Sequence, residues 1–347
     1  METFNPALYS STARTADEKN AADAPFIILI PVYNDWAALD MLFNALDAAL
    51  AGSKLTADVL VVDDGSTVSY NEANQGEKAF DAIQSIEILE LARNLGHQRA
   101  IAVGLAYIED NKRCQAVIVM DADGEDDPKD VPRLIQAYND EARSKVVFAL
   151  RAKRSESLVF KIFYSLYRTI YYLLSGSKVR FGNFSIIPYQ LLRRLVVVSE
   201  IWNHYAAGIL KARIPYKEIP TNRSRRLDGR SSMSFVSLVL HGLGAISVHG
   251  DVVGVRALIA TVLLIIISAI AISIVVVIRA TTDLAIPGWA STLTASFFII
   301  LMQAVMVALL FAFMVLNSRS SSGFLPRRDY VYFVLSTRRV FPGNDRS

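Results

Sequence analysis

The stretch Ala116-Val-Ile-Val-Met-Asp-Ala-Asp-Gly-Glu-Asp-Asp-Pro128 decides the fold. Its first five residues are an unbroken apolar run, the pattern of a strand buried on both faces, and the rest is a turn dense in acids. Asp and Gly after a strand are also ordinary turn residues, so this stretch alone reads more readily as a loop than as a metal site. The arrangement recurs upstream, however. Val59-Leu-Val-Val62 runs into Asp63-Asp64-Gly65-Ser66-Thr67, and Phe26-Ile-Ile-Leu-Ile30 runs into Pro31-Val-Tyr-Asn-Asp35. Three buried-type strands, each releasing polar residues at its carboxyl end, are the layout of an open parallel sheet whose ligand lies beyond the strand ends.

The chain between these strands alternates in period. Helical spacing runs over Trp36–Leu50, Arg99–Ile108 and Val131–Ala142, with a short helix-compatible piece at Ala79–Ile83. Strand patterns cover Ile86–Leu91, Val117–Asp121 and Val146–Leu150. Such alternation predicts an α/β fold with parallel strands joined by helical crossovers.

The 347 residues are 52% hydrophobic, enough for one substantial core with apolar residues left over. The excess lies late in the chain. Ala257 to Ile278 carries no charge, and its 22 residues at about 1.5 Å each reach roughly 33 Å, the span of a hydrocarbon core. A second uncharged run covers Ala290 to Leu316, so a two-helix transmembrane hairpin is predicted. The connection offers Arg279 against Asp283, whereas the tail carries Arg319, Arg327, Arg328, Arg338 and Arg339; this asymmetry predicts that both ends face the cytoplasm.

The expected organisation is a polar lead over 1–24, without the apolar core of a signal peptide, then a catalytic α/β domain over 25–235. A juxtamembrane segment follows over 236–256, then the spans 257–278 and 290–316, and a basic tail over 317–347. Within the α/β domain, 158–174 places Lys161, Ser165 and Arg168 on one narrow stripe of an otherwise apolar and aromatic helix, the pattern of a helix lying in a membrane interface or of a core helix with a solvated stripe. The single cysteine, Cys114, excludes an internal disulfide and fits a reducing compartment. A net charge of +3 gives no argument for a nucleic-acid partner.

Asp121 and Asp123, two carboxylates at i, i+2 beyond a strand, can hold a hard divalent cation such as Mg2+ or Mn2+, which a diphosphate leaving group requires. Pro31 and Tyr33 offer a rigid wall and an aromatic face for a nucleobase, and Asp63 or Asp64 can accept hydrogen bonds from a base nitrogen or a ribose hydroxyl, or else cap a turn. Asp126 and Asp127 can cap a helix beginning near Pro128. His97 and His204 lack metal-ligand spacing.

Pro31-Val-Tyr-Asn, Val62-Asp-Asp-Gly-Ser66, Arg93-Asn-Leu-Gly-His-Gln-Arg-Ala100 and Met120-Asp-Ala-Asp123 together resemble the family 2 glycosyltransferases with a GT-A fold. Within that family the resemblance is to the polyprenyl-phosphate glycosyltransferases, the group of dolichol-phosphate mannose synthases and bactoprenol glucosyltransferases, and it runs from about Phe26 to Ser232. It implies inverting, metal-dependent transfer of a sugar from a UDP- or GDP-sugar to a polyprenyl phosphate at the cytoplasmic membrane face. It also implies a nucleotide pocket at Pro31, Tyr33, Asp35, Asp63, Asp64 and Asp121, a metal at Asp123 and Asp121, and catalytic roles for Asp121, Asp123 and Arg151.

Glu125 falls where the family has a Gln that reaches the metal. Arg151 stands where relatives keep an Arg that meets the acceptor phosphate, and Arg226, Arg230 and Ser231 belong to a segment resembling the family's Arg-rich loop. A juxtamembrane basic patch drawn to anionic lipid accounts for that segment's charge as well. Relatives also have an Asp in the region reading Val179-Arg-Phe-Gly-Asn-Phe-Ser185, where this chain offers Asn183. Transfer to a lipid hydroxyl or a polysaccharide, or nucleotide-sugar binding without catalysis, are the alternative readings, and a homo-oligomer is left open. A hydroxyl acceptor requires a base, and the Gln-x-x-Arg-Trp motif of processive synthases is absent from the chain.

Overall fold

The computed structural model describes residues 24–70, 79–151, 169, 171–176, 182–221, 224, 226, 242–282, 288–320 and 324–341. They form two compact units, one drawn from 1–155, 179–248 and 324–347 and the other from 156–178 and 249–323.

The first unit is an eight-stranded mixed sheet with helices on both faces. Its strands are β1 (Phe26–Val32), β2 (Ala57–Asp63), β3 (Ile83–Leu91), β4 (Ala116–Val119), β5 (Val146–Arg151), β6 (Ser185–Pro188), β7 (Tyr216–Thr221) and β8 (Val334–Phe341), in the order β7-β5-β6-β4-β1-β2-β3-β8. The four strands β1 to β4 run parallel, as the apolar runs predict. β5 and β7 pair parallel to each other. β6 is antiparallel to β4 and β5, and β8 is antiparallel to β3. The sheet is thus mostly parallel, as expected, with these two strands as the antiparallel exceptions. β6 has only four residues, and β8 follows β3 by more than 240, so neither belongs to a local strand–helix–strand repeat.

The helices are α1 (Trp36–Gly52), α2 (His97–Asn111), α3 (Asp130–Asp140), α4 (Tyr189–Leu195) and α5 (Tyr205–Lys211). One core packs α1 and α3 against Ile28, Ile30, Val59, Val61 and Ile118. The other packs α2, α4 and α5 against Leu29, Leu60, Val62 and Val119. Alternate residues of each strand therefore feed opposite layers. Residues 79–82 are not helical, contrary to the periodicity. The Asp47 carboxylate on α1 accepts the N–H groups of Asp81, Ala82 and Ile83 at 3.1, 2.8 and 2.9 Å, which extends this backbone into the start of β3.

Within the segment read as a basic tail, Val334–Phe341 is instead a strand of the sheet. Arg338 on β8 pairs with Glu90 on β3 at 2.8 Å. Arg327 pairs with the buried Glu109 at 3.1 Å, and Arg328 pairs with Asp329 at 2.6 Å. Tyr330 donates to Asp110 at 2.6 Å, and Phe324 lies 3.7 Å from Trp202, ring centroid to centroid. Burial in β8 alternates, with Ser336, Arg338 and Val340 half-buried and Leu335, Thr337 and Arg339 exposed, as an edge strand requires. Three of the arginines counted toward topology are thus ion-paired within this unit.

The second unit contains α6 (Gly250–Thr281) and α7 (Trp289–Ser320), which pack against each other. Gly254, Thr261, Ser268 and Val275 are the buried positions of α6, spaced by seven, and small side chains there let the helices approach closely. Two helices long and apolar enough to cross a membrane result, Gly250–Thr281 and Ser291–Met314, and most of their apolar side chains are exposed, unlike those of a core helix. Of the helix expected over 158–174, residues 169 and 171–174 are described, and residues 171–175 are helical. That piece ends at Gly176, whose φ is +74°, with Arg256 donating to Leu173 O at 2.6 Å.

Candidate active site

The chain steps from β1 to β2 to β3 on one side, then crosses back to place β4 on the other side of β1. The carboxyl ends of β1 and β4 therefore flank the point where strand order reverses, the crevice at which open α/β sheets take their ligands. β4 stays in register with β1 only to Leu29↔Val119, so Pro31, which has no N–H to offer, stands where β4 has already diverged. Beyond it Tyr33 is half exposed and Asn34 turns through a positive φ of 54°.

The β1 and β2 turns are tied together. Asn34 N–H donates to Ser66 Oγ at 2.9 Å, and Thr67 N–H donates to Asn34 Oδ1 at 2.9 Å. Asp63 accepts Ser66 N–H at 2.9 Å on Oδ1. Asp64, also read as a nucleotide contact, accepts from backbone on both oxygens. Its two oxygens accept Leu95 N–H at 2.6 Å and Gly96 N–H at 2.8 Å, so it staples the β2 turn to the loop entering α2. Burial pushes the Asp64 carboxyl up to about 6, partly offset by those two N–H groups, and burial raises Asp63 as well. Gly65, at φ +71°, passes so close to the same loop that a Cβ would lie 2.6 Å from the Arg93 carbonyl carbon.

Across the crevice, Asp126 turns back to accept Asp121 N–H at 3.0 Å instead of capping α3, while Asp127 accepts Lys129 N–H at 3.0 Å one turn before that helix. Asp123 accepts Glu125 N–H at 2.9 Å on Oδ1. Its Oδ2 lies 3.3 Å from the Arg226 guanidinium, which also reaches Asp35 at 2.9 Å. One cation from the segment after β7 thus bridges a carboxylate after β1 and a carboxylate after β4. Asp121 Oδ1 accepts from Asn183 Nδ2 at 3.3 Å, and Asn183 accepts from Gln98 at 2.9 Å. His204 caps α5, accepting Ala207 N–H at 3.3 Å, which is a structural role.

Sequence reading paired Asp121 with Asp123 but missed Gln98 behind them and Arg338 beside Glu90, which is opposite Asp63 in the sheet. Gln98 does sit inside the quoted Arg93–Ala100 motif, which was the available signal. Arg226 was read as an acceptor contact, and in this structure it spans Asp35 and Asp123. Arg151 closes β5, with only its backbone described; Arg230 and Ser231 lie outside the described residues.

Among the described residues no group of three or more His, Cys, Asp or Glu is gathered to hold a metal. The donor set still fits Mg2+ or Mn2+, which bind through one or two carboxylates with substrate phosphates completing the shell. Asp121 and Asp123 would supply two hard ligands, and Asp123 already faces a positive charge, the Arg226 guanidinium.

Acidic turns at the switch point of an open α/β sheet stand where such folds take their ligands. Residues 27–198 match the model of glycosyl transferase family 2, and the chain carries that family's domain and is a glycosyltransferase. It is 25% identical, over 77% of its length and 81% of the relative's, to an uncharacterised glycosyltransferase, YkcC, of Bacillus subtilis (strain 168). It is 27% identical to an undecaprenyl-phosphate 4-deoxy-4-formamido-L-arabinose transferase of Salmonella paratyphi A, over 61% of this chain and 63% of that one, just under two thirds of that relative's length. A crystal structure of glucosyl-3-phosphoglycerate synthase from Mycobacterium tuberculosis, with Mn2+, UDP-glucose and phosphoglyceric acid, matches at a TM-score of 0.49 and 13% identity, covering 69% of this chain and 83% of that one.

Proposed function

We propose that this glycosyltransferase moves a sugar from a UDP- or GDP-sugar onto a polyprenyl phosphate in one inverting displacement at the cytoplasmic membrane face. The observation that carries the reading is the Arg226 bridge across the switch-point crevice, between Asp35 and Asp123. It marks a spot between the β1 and β4 turns where opposite charges meet, as a diphosphate with its cation would. The polyprenyl phosphate acceptor draws support from the Salmonella relative, whose name states that acceptor, and from two apolar helices suited to holding the enzyme at a bilayer.

The exposed face of Tyr33 and the Asp63 carboxylate take the nucleobase and ribose. Asp121 and Asp123, with Glu125 next in line, would hold Mg2+ or Mn2+, which supplies neutralisation of the charge developing on the departing nucleoside diphosphate. Arg226 exchanges Asp123 for phosphate oxygens, a bidentate match for its guanidinium. Arg151, Arg230 and Ser231 are assigned to the acceptor phosphate. A phosphate monoester has a second pKa near 6 and is mostly its own nucleophile at neutral pH, so no protein base is required. Its oxygen bonds to the anomeric carbon as the bond to the diphosphate breaks, the electron pair leaving with the diphosphate.

The test incubates the detergent-solubilised full chain with undecaprenyl phosphate, Mg2+ or Mn2+ and a panel of nucleotide sugars. Lipid-linked sugar of inverted anomeric configuration, abolished by chelator and restored by metal, is the expected product. Absence of any lipid-linked sugar across the panel overturns the acceptor assignment.

A further inference from the structure

Behind Asp121 lies a row of buried amides to which the transfer reaction, as read above, assigns no part. Gln98, in the first turn of α2, and Asn183, just before β6, are both almost fully buried. Tyr205 N–H, opening α5, donates to Gln98 Oε1 at 2.6 Å. A backbone N–H can only donate, so Oε1 is the acceptor end of this amide and Nε2 the donor end. Nε2 lies 2.9 Å from Asn183 Oδ1 and 2.9 Å from His97 Nε2, one hydrogen for each. Asn183 therefore presents Nδ2 to Asp121 Oδ1, at 3.3 Å. Donor and acceptor are assigned at every link, starting from the backbone of α5. Burial holds His97 below the ordinary imidazole range, which agrees with a neutral ring accepting at Nε2.

We propose that Gln98 is a positioning residue for glycosyl transfer, orienting the Asn183 amide so that it donates to Asp121 and holds that carboxylate toward the donor. The proposal rests on the reading of Asp121 as part of the donor site. A flipped Asn183 would set its oxygen against the Asp121 oxygen, and the Gln98 Nε2–H is what opposes that flip. The two residues are 85 positions apart and meet only because α2 and the approach to β6 share one layer of the fold.

Two variants separate positioning from packing. Gln98→Glu keeps the acceptor for Tyr205 N–H but replaces the donor with a second acceptor, and Gln98→Met keeps the volume without either function. Partners that orient ligands of this kind typically contribute about 10- to 100-fold in affinity or activity. Each variant is expected to weaken Mn2+-dependent UDP or GDP binding, measured by calorimetry on the full chain, by about tenfold or more. In an Asn183→Ala background the same changes are expected to add almost nothing, because the row is already cut.

Nitrogen-15 imidazole spectra supply a readout that packing alone would not move. His97 is expected as the Nδ1–H tautomer in the parent, with that preference lost in Gln98→Met. Equal losses in both backgrounds, unchanged binding in both variants, or an Nε2–H tautomer in the parent would each overturn the proposal. These measurements need no acceptor, so failure to find lipid-linked sugar leaves them intact and tells the two ideas apart.

Discussion

Two pairs of acids follow two parallel strands, Asp63-Asp64 after β2 and Asp121-Ala-Asp123 after β4, and in sequence they look alike. In the fold they are held by different kinds of partner. Asp64 is locked by two backbone N–H groups of a loop at 2.6 and 2.8 Å, contacts that no ligand displaces without moving the chain. Asp121 accepts from a side-chain amide, and Asp123, beyond the Glu125 N–H of its own turn, meets a side-chain guanidinium on its other oxygen; these side-chain partners can be exchanged for a cation or a phosphate. A carboxylate pinned by backbone builds the site, whereas one pinned by side chains remains available to it.

The largest effect is expected from Asp123→Ala. Loss of a ligand to the cation that neutralises the leaving group should lower kcat/KM about 10³-fold or more, as removal of one charge-stabilising group does elsewhere. Thermal unfolding in detergent should shift little, because Asp123 bonds a turn N–H and a guanidinium that is itself partly solvated; a large drop in Tm would show that this pair also builds the fold.

Asp64→Ala should do the reverse. It leaves the Leu95 and Gly96 N–H groups without their partner, at a cost of about 2 kcal/mol in stability, and at permissive temperature it should leave residual transfer. Full stability with abolished nucleotide binding would erase the contrast between the two acid pairs.

Arg226→Ala is expected to reduce kcat about 10- to 100-fold while Mn2+-dependent nucleotide affinity changes less, because the variant loses a phosphate contact and also a competitor for Asp123. Equal losses in kcat and affinity would make Arg226 a plain donor ligand.

The smallest effect is one of pH. The Asp64 carboxyl is raised to about 6 in the folded chain against an ordinary 3.8, so the native state holds this proton more tightly than the unfolded state does. Its contribution to stability is therefore greatest below about pH 4 and declines as pH rises through about 6. Unfolding of the parent, compared with Asp64→Ala across that window, should show the difference shrinking as pH rises. A difference that grew with pH would mean that the two N–H groups outweigh burial.

Much of this was legible in the chain. Apolar runs ending in acids placed β1, β2 and β4 and their turns, because burial on both faces and exposure at the carboxyl end are local properties of a strand. The hairpin helices were legible as uncharged length. Residues 79–82 were misread because Asp47, on another element, claims their N–H groups. β8 was hidden in a tail that reads as basic, since its inward positions include Arg338, whose charge is matched by Glu90 from far upstream. Asp64 and Asp123 could not be told apart, since neither pattern says which partner arrives.

The sequence by itself determined strands β1 to β5, the acidic turns, the membrane-length helices and the class of chemistry, because periodicity, turn chemistry and apolar length act over a few residues. Only the tertiary structure decided which acids are bound to backbone and which stay exchangeable, that the last strand closes the sheet, and that Gln98 stands behind Asp121. Those outcomes depend on hydrogen bonds between groups tens to hundreds of residues apart, whose distances and directions exist only once the layers have packed.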